Sequence, residues 1–447
     1  MTGATHALRA EAERRLADPL LRSAYSLMLN VVVTSVLGLG FWIAAARISP
    51  PASVGRDAAL VSAMILVSTI CAMNLGSGIL RFLPISKLDP ARVVVGAYAA
   101  TILVSAAGAT AFVLVAPRVS HSYLFLAHDT TLAAVYVLAV TAWGVFALQD
   151  AVLTALRRAP WIPLENALFG VLKIAALPIL LAVGSLHAVF VAWVIPVLLL
   201  LLPVNYLIFA KAIPGRPDAS GELSPVERFG RRGLARFLAN DYLATIFIQA
   251  STTLLPVLVV ALLGNSQGAF FYMPFTIISA FDLLFINVVA SMTVEASMAG
   301  DRLSELARAT VRRFGGVLVA GVLVVVAGAG LILLPFGSAY VDGGGALLRL
   351  LACASVFRAI IGLYSAICRV QGRAGRVLVV QAAVFVLVVG LTPVLGRGHG
   401  LEGVGLAWLV SNGLVACAVT PATMRVLRCR TGTRTTPATI LSLQRDH

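Results

Sequence analysis

Twelve apolar runs, each about long enough to cross a bilayer, leave this chain few architectures. Stretches of roughly 18 residues or more lie near 24–46, 58–80, 93–116, 131–155, 166–184, 188–209, 238–262, 269–292, 314–336, 346–367, 376–395 and 403–424. They are continuous and rich in Leu, Val and Ala, whereas a membrane barrel needs alternating strands of about ten residues. Lipid then forces helix, because each segment must satisfy its own backbone groups. The composition fits. Of 447 residues, 60% are hydrophobic and 12% charged, against about half and a quarter in a soluble domain. The predicted fold is an all-α polytopic membrane protein with about twelve transmembrane helices.

A formal charge of +15 would suggest a nucleic-acid partner in a soluble protein, but here the basic residues alternate with the spans. Of 34 Lys and Arg, 27 fall in the two tails and in every second loop, four (Arg47, Arg56, Arg118 and Arg397) in the opposite loops, and Lys173, Arg349 and Arg358 within spans. That asymmetry predicts that both termini are cytoplasmic and that no nucleic acid is bound. The segment 1–23 reads as a cytoplasmic or interfacial helix and 425–447 as a cytoplasmic tail, both drawn to anionic headgroups. Arg greatly outnumbers Lys beside abundant Ala, Gly and Val, which suggests a GC-rich bacterial source and so the bacterial cell membrane.

The five cysteines are mostly within apolar runs, and neither CxxC nor HxxxH occurs, so no disulfide framework, metal site or cofactor is expected. No loop exceeds roughly 30 residues and no nucleophile constellation stands out, which argues against an enzyme.

The longest inner loop divides the chain into an N-lobe at 24–210, a linker at 211–237 and a C-lobe at 238–424. Asn30 and Asn240 open corresponding spans of the two lobes. Such a repeat would be parallel, with substrate held between the halves near mid-membrane.

An ionisable residue in a span costs at least ~2.5 kcal/mol and is kept for a reason. Counting about 1.5 Å per residue, Asp150 and Lys173 lie at matched depth on spans 4 and 5, and Asp282 and Arg358 on spans 8 and 10. Each lobe would thus hold one acid and one base able to pair. Asn166 and Lys173 repeat at seven residues, as do Trp143 and Asp150, giving two stripes predicted to line a lumen.

The stretch Gly76–Pro84 closing span 2, Phe237–Tyr242 opening span 7, and Val294–Ser297 with Leu303–Arg313 after span 8 resemble the Wzx-type polysaccharide flippases. These belong to the multidrug/oligosaccharidyl-lipid/polysaccharide (MOP) superfamily. The resemblance implies a V-shaped pair of six-helix lobes that carries an undecaprenyl-pyrophosphate-linked saccharide to the outer leaflet by alternating access, in contact with the polymerisation machinery. Lys173 and Arg358 would then engage pyrophosphate oxygens, or else form structural ion pairs with the acids. Asp150, Asp282 and Asp241 are candidates for coupling or ion pairing, with a helix cap the other reading for Asp241. Asn30, Gln249, Asn166 and Trp143 are candidates to meet the sugar, interhelical packing being the alternative. A MATE-type small-molecule or drug antiporter is the second functional reading, since cationic substrates favour acidic lumen residues.

Overall fold

The computed structural model describes residues 19–72, 75–83, 89–214, 231–298 and 302–428. The segment 1–18, the centre of the linker (215–230) and the tail beyond 428 lie outside the described residues, and with them most of the expected interfacial helix. No strand occurs among the described residues. The long helices are α1 Pro19–Ile48, α2 Pro51–Cys71, α3 Leu75–Phe82, α4 Pro90–Val119, α5 Thr130–Ala155, α6 Ile162–Ala182, α7 Ala188–Leu207, α8 Arg231–Leu263, α9 Asn265–Met298, α10 Leu303–Ala327, α11 Ser338–Val370 and α12 Ala374–Arg428.

Eleven of these are long and apolar enough to cross a membrane. The last, α12, has 55 residues, far more than the ~20 that one crossing needs. It breaks at Gly400, whose φ of 60° and ψ of −137° suit glycine alone. The chain there doubles back so tightly that a Cβ on Gly403 would fall 1.9 Å from the Leu395 carbonyl oxygen. Residues 374–399 and 401–428 are therefore two crossings, and the protein is a multi-pass membrane protein. Helix starts are fixed by caps written in the sequence: Asp89 accepts from the Ala91 N–H at 3.0 Å to open α4, and Asp129 accepts from the Leu132 N–H at 2.9 Å to open α5.

Contacts divide the chain into two compact units. One comprises Met1–Arg228, Gln249–Met273 and Leu333–Gly343; the other comprises Phe229–Ile248, Pro274–Ile332 and Gly344–His447. In the first, α1 lies along α6, α4 along α5, and α6 against α7. Its core includes Tyr98, Leu148, Leu153, Ile162 and Ile208. Gly55 of α2 approaches the first turn of α9 so closely that a Cβ would lie 1.9 Å from the Asn265 carbonyl oxygen. Gly55→Ala is expected to lower the midpoint of thermal unfolding, at a cost of about 1–3 kcal/mol from overpacking. Gly38→Ala, whose Cβ would meet nothing within 4 Å, should leave the midpoint in place. In the second unit, α10 packs on α12, and Met292, Ala307, Leu363, Ala366 and Ile367 form a buried cluster.

Asp57 ties two helix starts of the first unit together. It is fully buried, and its carboxylate accepts from the Val189 and Phe190 N–H groups at 3.2 and 3.3 Å. It also meets His187 Nδ1 at 3.1 Å and Arg56 Nε at 3.3 Å. The side chain of His187, at the cap position of α7, makes no capping bond of its own. Asp57, more than a hundred residues away in sequence, satisfies those orphan amides instead.

Candidate functional site

In the first unit, Lys173 does not pair with Asp150. The α6 positions buried one turn apart are Glu165, Phe169, Lys173 and Leu177, the stripe expected of a helix pressed on its neighbours. The Lys173 side chain, 4% exposed, ends among aromatic faces: its Nζ lies 4.2 Å from the ring centroid of Trp193, 4.8 Å from Phe169 and 5.2 Å from Phe41. Four helices supply this cage. Phe41 comes from α1, Phe169 and Lys173 from α6, Trp193 from α7, and Trp143 of α5 packs on Trp193 and Phe169 at 5.6 and 5.9 Å between centroids. Trp42 extends it, 6.1 Å from Trp193 and 4.5 Å from Tyr272.

The balance of forces makes this cation unusual. A desolvated cation–π contact is worth about 2 kcal/mol or more, enough to offset the ~2.5 kcal/mol that insertion charges for a lysine. The cage therefore holds the ammonium without a carboxylate, and no salt bridge to Lys173 occurs among the described residues. Beside it, the Trp193 indole N–H is buried and makes no hydrogen bond. Two donors thus stand together without an oxygen acceptor among the described residues. The arrangement is equipped to receive an anion.

The second unit is built differently. Asp282 on α9 and Arg358 on α11, expected at matched depth, meet at 3.0 Å. The Arg358 guanidinium also lies 4.9 Å from the ring centroid of Trp408, which packs edge-on against Phe275 at 5.6 Å. Removing one partner of this half-shielded pair should cost about 2 kcal/mol, and replacing both with apolar groups far less. Thermal unfolding of Asp282→Leu, Arg358→Leu and the double variant is expected to show both single variants below the double.

The remaining candidates scatter. Asn166 is half-buried on α6, and Asp150 has a buried carboxylate oxygen without a hydrogen-bond partner. Asp241 forms an ion pair with Arg369 at 3.0 Å, so it is not a simple helix cap. The main-chain carbonyl of Gln249 accepts from the Thr252 and Thr253 hydroxyls at 2.9 and 2.7 Å, bonds that leave its side chain uninvolved. Asn30 has a buried, unpartnered side-chain oxygen. Trp193, Phe41, Trp408, Glu165 and Asp57 were not among the sequence-predicted residues. A signal existed for two of them: Ala192-Trp193 and Ala407-Trp408 occupy matching places early in the last span of each half, and each tryptophan carries the cation of its unit and an unpartnered indole N–H.

Neither a protein-family model nor a curated protein sequence matches this chain. Solved structures do. A lipid II flippase, MurJ, in an inward closed conformation superposes with a TM-score of 0.67 at 14% identity, covering 90% of each chain. An inward-facing multidrug resistance MATE transporter of the MOP superfamily gives 0.60 at 16%, covering 90% of this chain and 98% of its own. A MOP-superfamily transporter from Pyrococcus furiosus, described by a binding pocket of reverse polarity, gives 0.60 at 16%, covering 92% and 96%. The chain thus has the fold of the MOP-superfamily transporters.

Proposed function

We propose that this protein is a transporter that flips an undecaprenyl-pyrophosphate-linked saccharide across the bacterial inner membrane by alternating access. One observation carries the reading: a buried cation, Lys173, held by rings and accompanied by the unsatisfied Trp193 N–H, with no acid paired to it among the described residues. A phosphate oxygen would satisfy both donors, and charge-assisted bonds to it are the strong ones in a dry site. Arg358, already neutralised by Asp282, fits a structural pair better than a second phosphate contact. The name of the MurJ neighbour, a lipid II flippase, agrees with a lipid-linked substrate.

The antiporter reading gains from the MATE neighbours, but a cationic drug would meet a cation in the cage. Thermal unfolding of the purified protein separates the two, because a ligand that binds the folded state raises the midpoint. Undecaprenyl-pyrophosphate-linked saccharide is expected to stabilise the protein where free sugars and cationic drugs do not. Stabilisation by the drugs alone would contradict the flippase reading.

A further inference from the structure

A basic cluster in the second unit lies where α11 turns into α12. Gly372, at φ 71°, lets the chain reverse within a few residues, with α11 ending at Val370 and α12 beginning at Ala374. An open cavity of about 630 Å³ lies beside the turn, lined by Tyr364 of α11 and by Arg373, Gly375, Arg376, Val379 and Val380. The turn is seated on α8: a Cβ on Gly375 would stand 3.6 Å from the Asn240 Nδ2, and Asp241 is held by Arg369 at 3.0 Å.

The lining has two characters. Arg373 and Arg376 are exposed and three apart at one helix start, so they stand on the same side of it. Arg373 donates to the Gln371 side-chain oxygen at 3.1 Å, a neutral partner that leaves its charge in place. Further along that side come Val379 and Val386, 68% and 63% exposed and about 10 Å apart along the helix. Two cations in the first turn of a crossing and exposed valines beyond them match the order of a bilayer, headgroups first and acyl chains next. Tyrosine suits the same level, being apolar along its ring and polar at its tip.

We propose that this cavity binds an anionic phospholipid, with Arg373 and Arg376 holding the phosphate and Val379 and Val386 flanking an acyl chain. A guanidinium fork matches phosphate oxygens two at a time, and basic pockets at the ends of membrane helices recur as headgroup sites. The Tyr364 hydroxyl can donate to a further oxygen. A zwitterionic lipid offers the same phosphate, but its ammonium group would meet the arginines. A soluble phosphate, or an acidic stretch of the linker or tail, would use the arginines and leave the valines bare; the valines therefore favour a lipid. The site shares no residue with the Lys173 cage, so it stands or falls independently of the flippase reading.

Lipid titration of the full-length protein in neutral detergent tests this. The wild-type protein is expected to bind phosphatidylglycerol about tenfold more tightly than phosphatidylcholine, and the double variant Arg373→Gln, Arg376→Gln to lose most of that preference. Both arginines are exposed, where substitutions seldom disturb a fold. A photoactivatable phosphatidylglycerol gives an answer on the wild-type protein alone, since it should label the stretch 364–386. Equal affinity for the two lipids, a double variant that keeps the preference, or labelling confined to the two chain tails would overturn the proposal. So would displacement of the lipid by glycerol phosphate at comparable concentration, because the site would then take a soluble phosphate.

Discussion

Lys173→Met is expected to weaken binding of an undecaprenyl-pyrophosphate-linked saccharide by about tenfold to a hundredfold while leaving the fold intact. The size follows from the loss of a charge-assisted hydrogen bond, worth about 1.5–3 kcal/mol, at about 1.4 kcal/mol per tenfold. Fold stability should hold because the cation–π gain and the cost of burying the ammonium nearly cancel, and a methionine thioether packs well against aromatic rings. Lys173→Arg keeps the charge, but its planar fork must fit among Trp193, Phe169 and Phe41, so partial recovery is expected. Titration of the purified variants with the lipid-linked ligand measures this. A methionine variant that binds as tightly as the wild type would reduce Lys173 to a packing element.

Asp57→Ala is expected to give the largest loss of stability, about 3–5 kcal/mol, as for one partner removed from a buried charge pair. The Asp57 carboxylate serves Arg56, His187 and two amides at the start of α7 at once. Asp57→Asn keeps one acceptor oxygen and should lose less. The arrangement makes α2 the cap of α7, so the loss should appear as early exchange of the Val189 and Phe190 amides in hydrogen-exchange measurements. Normal protection of those amides in Asp57→Ala would show that α7 starts unaided.

The spans were legible because lipid permits so few backbones, and the Asp282–Arg358 pair because rise per residue alone placed both at one depth. The turn at Gly400 also left a trace, since two crossings needed a break between them. The Lys173 cage was not legible in the same way. Its rings come from four helices, and which faces meet depends on rotation and packing that periodicity does not set. Depth alone matched Lys173 with Asp150, whereas the helix rotation turns Lys173 toward Trp193 instead. Glu165 escaped notice because it stands near the end of a span, where a carboxylate is ordinarily solvated; its spacing of four from Phe169 and eight from Lys173 was the available sign. Asp57 reads from the sequence as part of a short outer loop, whereas it stands in the second turn of α2.

The flippase reading meets its most direct test in vesicles containing the purified protein, loaded with a fluorescent undecaprenyl-pyrophosphate-linked saccharide in one leaflet. Appearance of the glycan in the other leaflet, accelerated by the wild-type protein and reduced about tenfold or more by Lys173→Met, is the expected result. Glycan that stays in its leaflet across a panel of saccharides, in vesicles that export a cationic drug when an ion gradient is imposed, would contradict it.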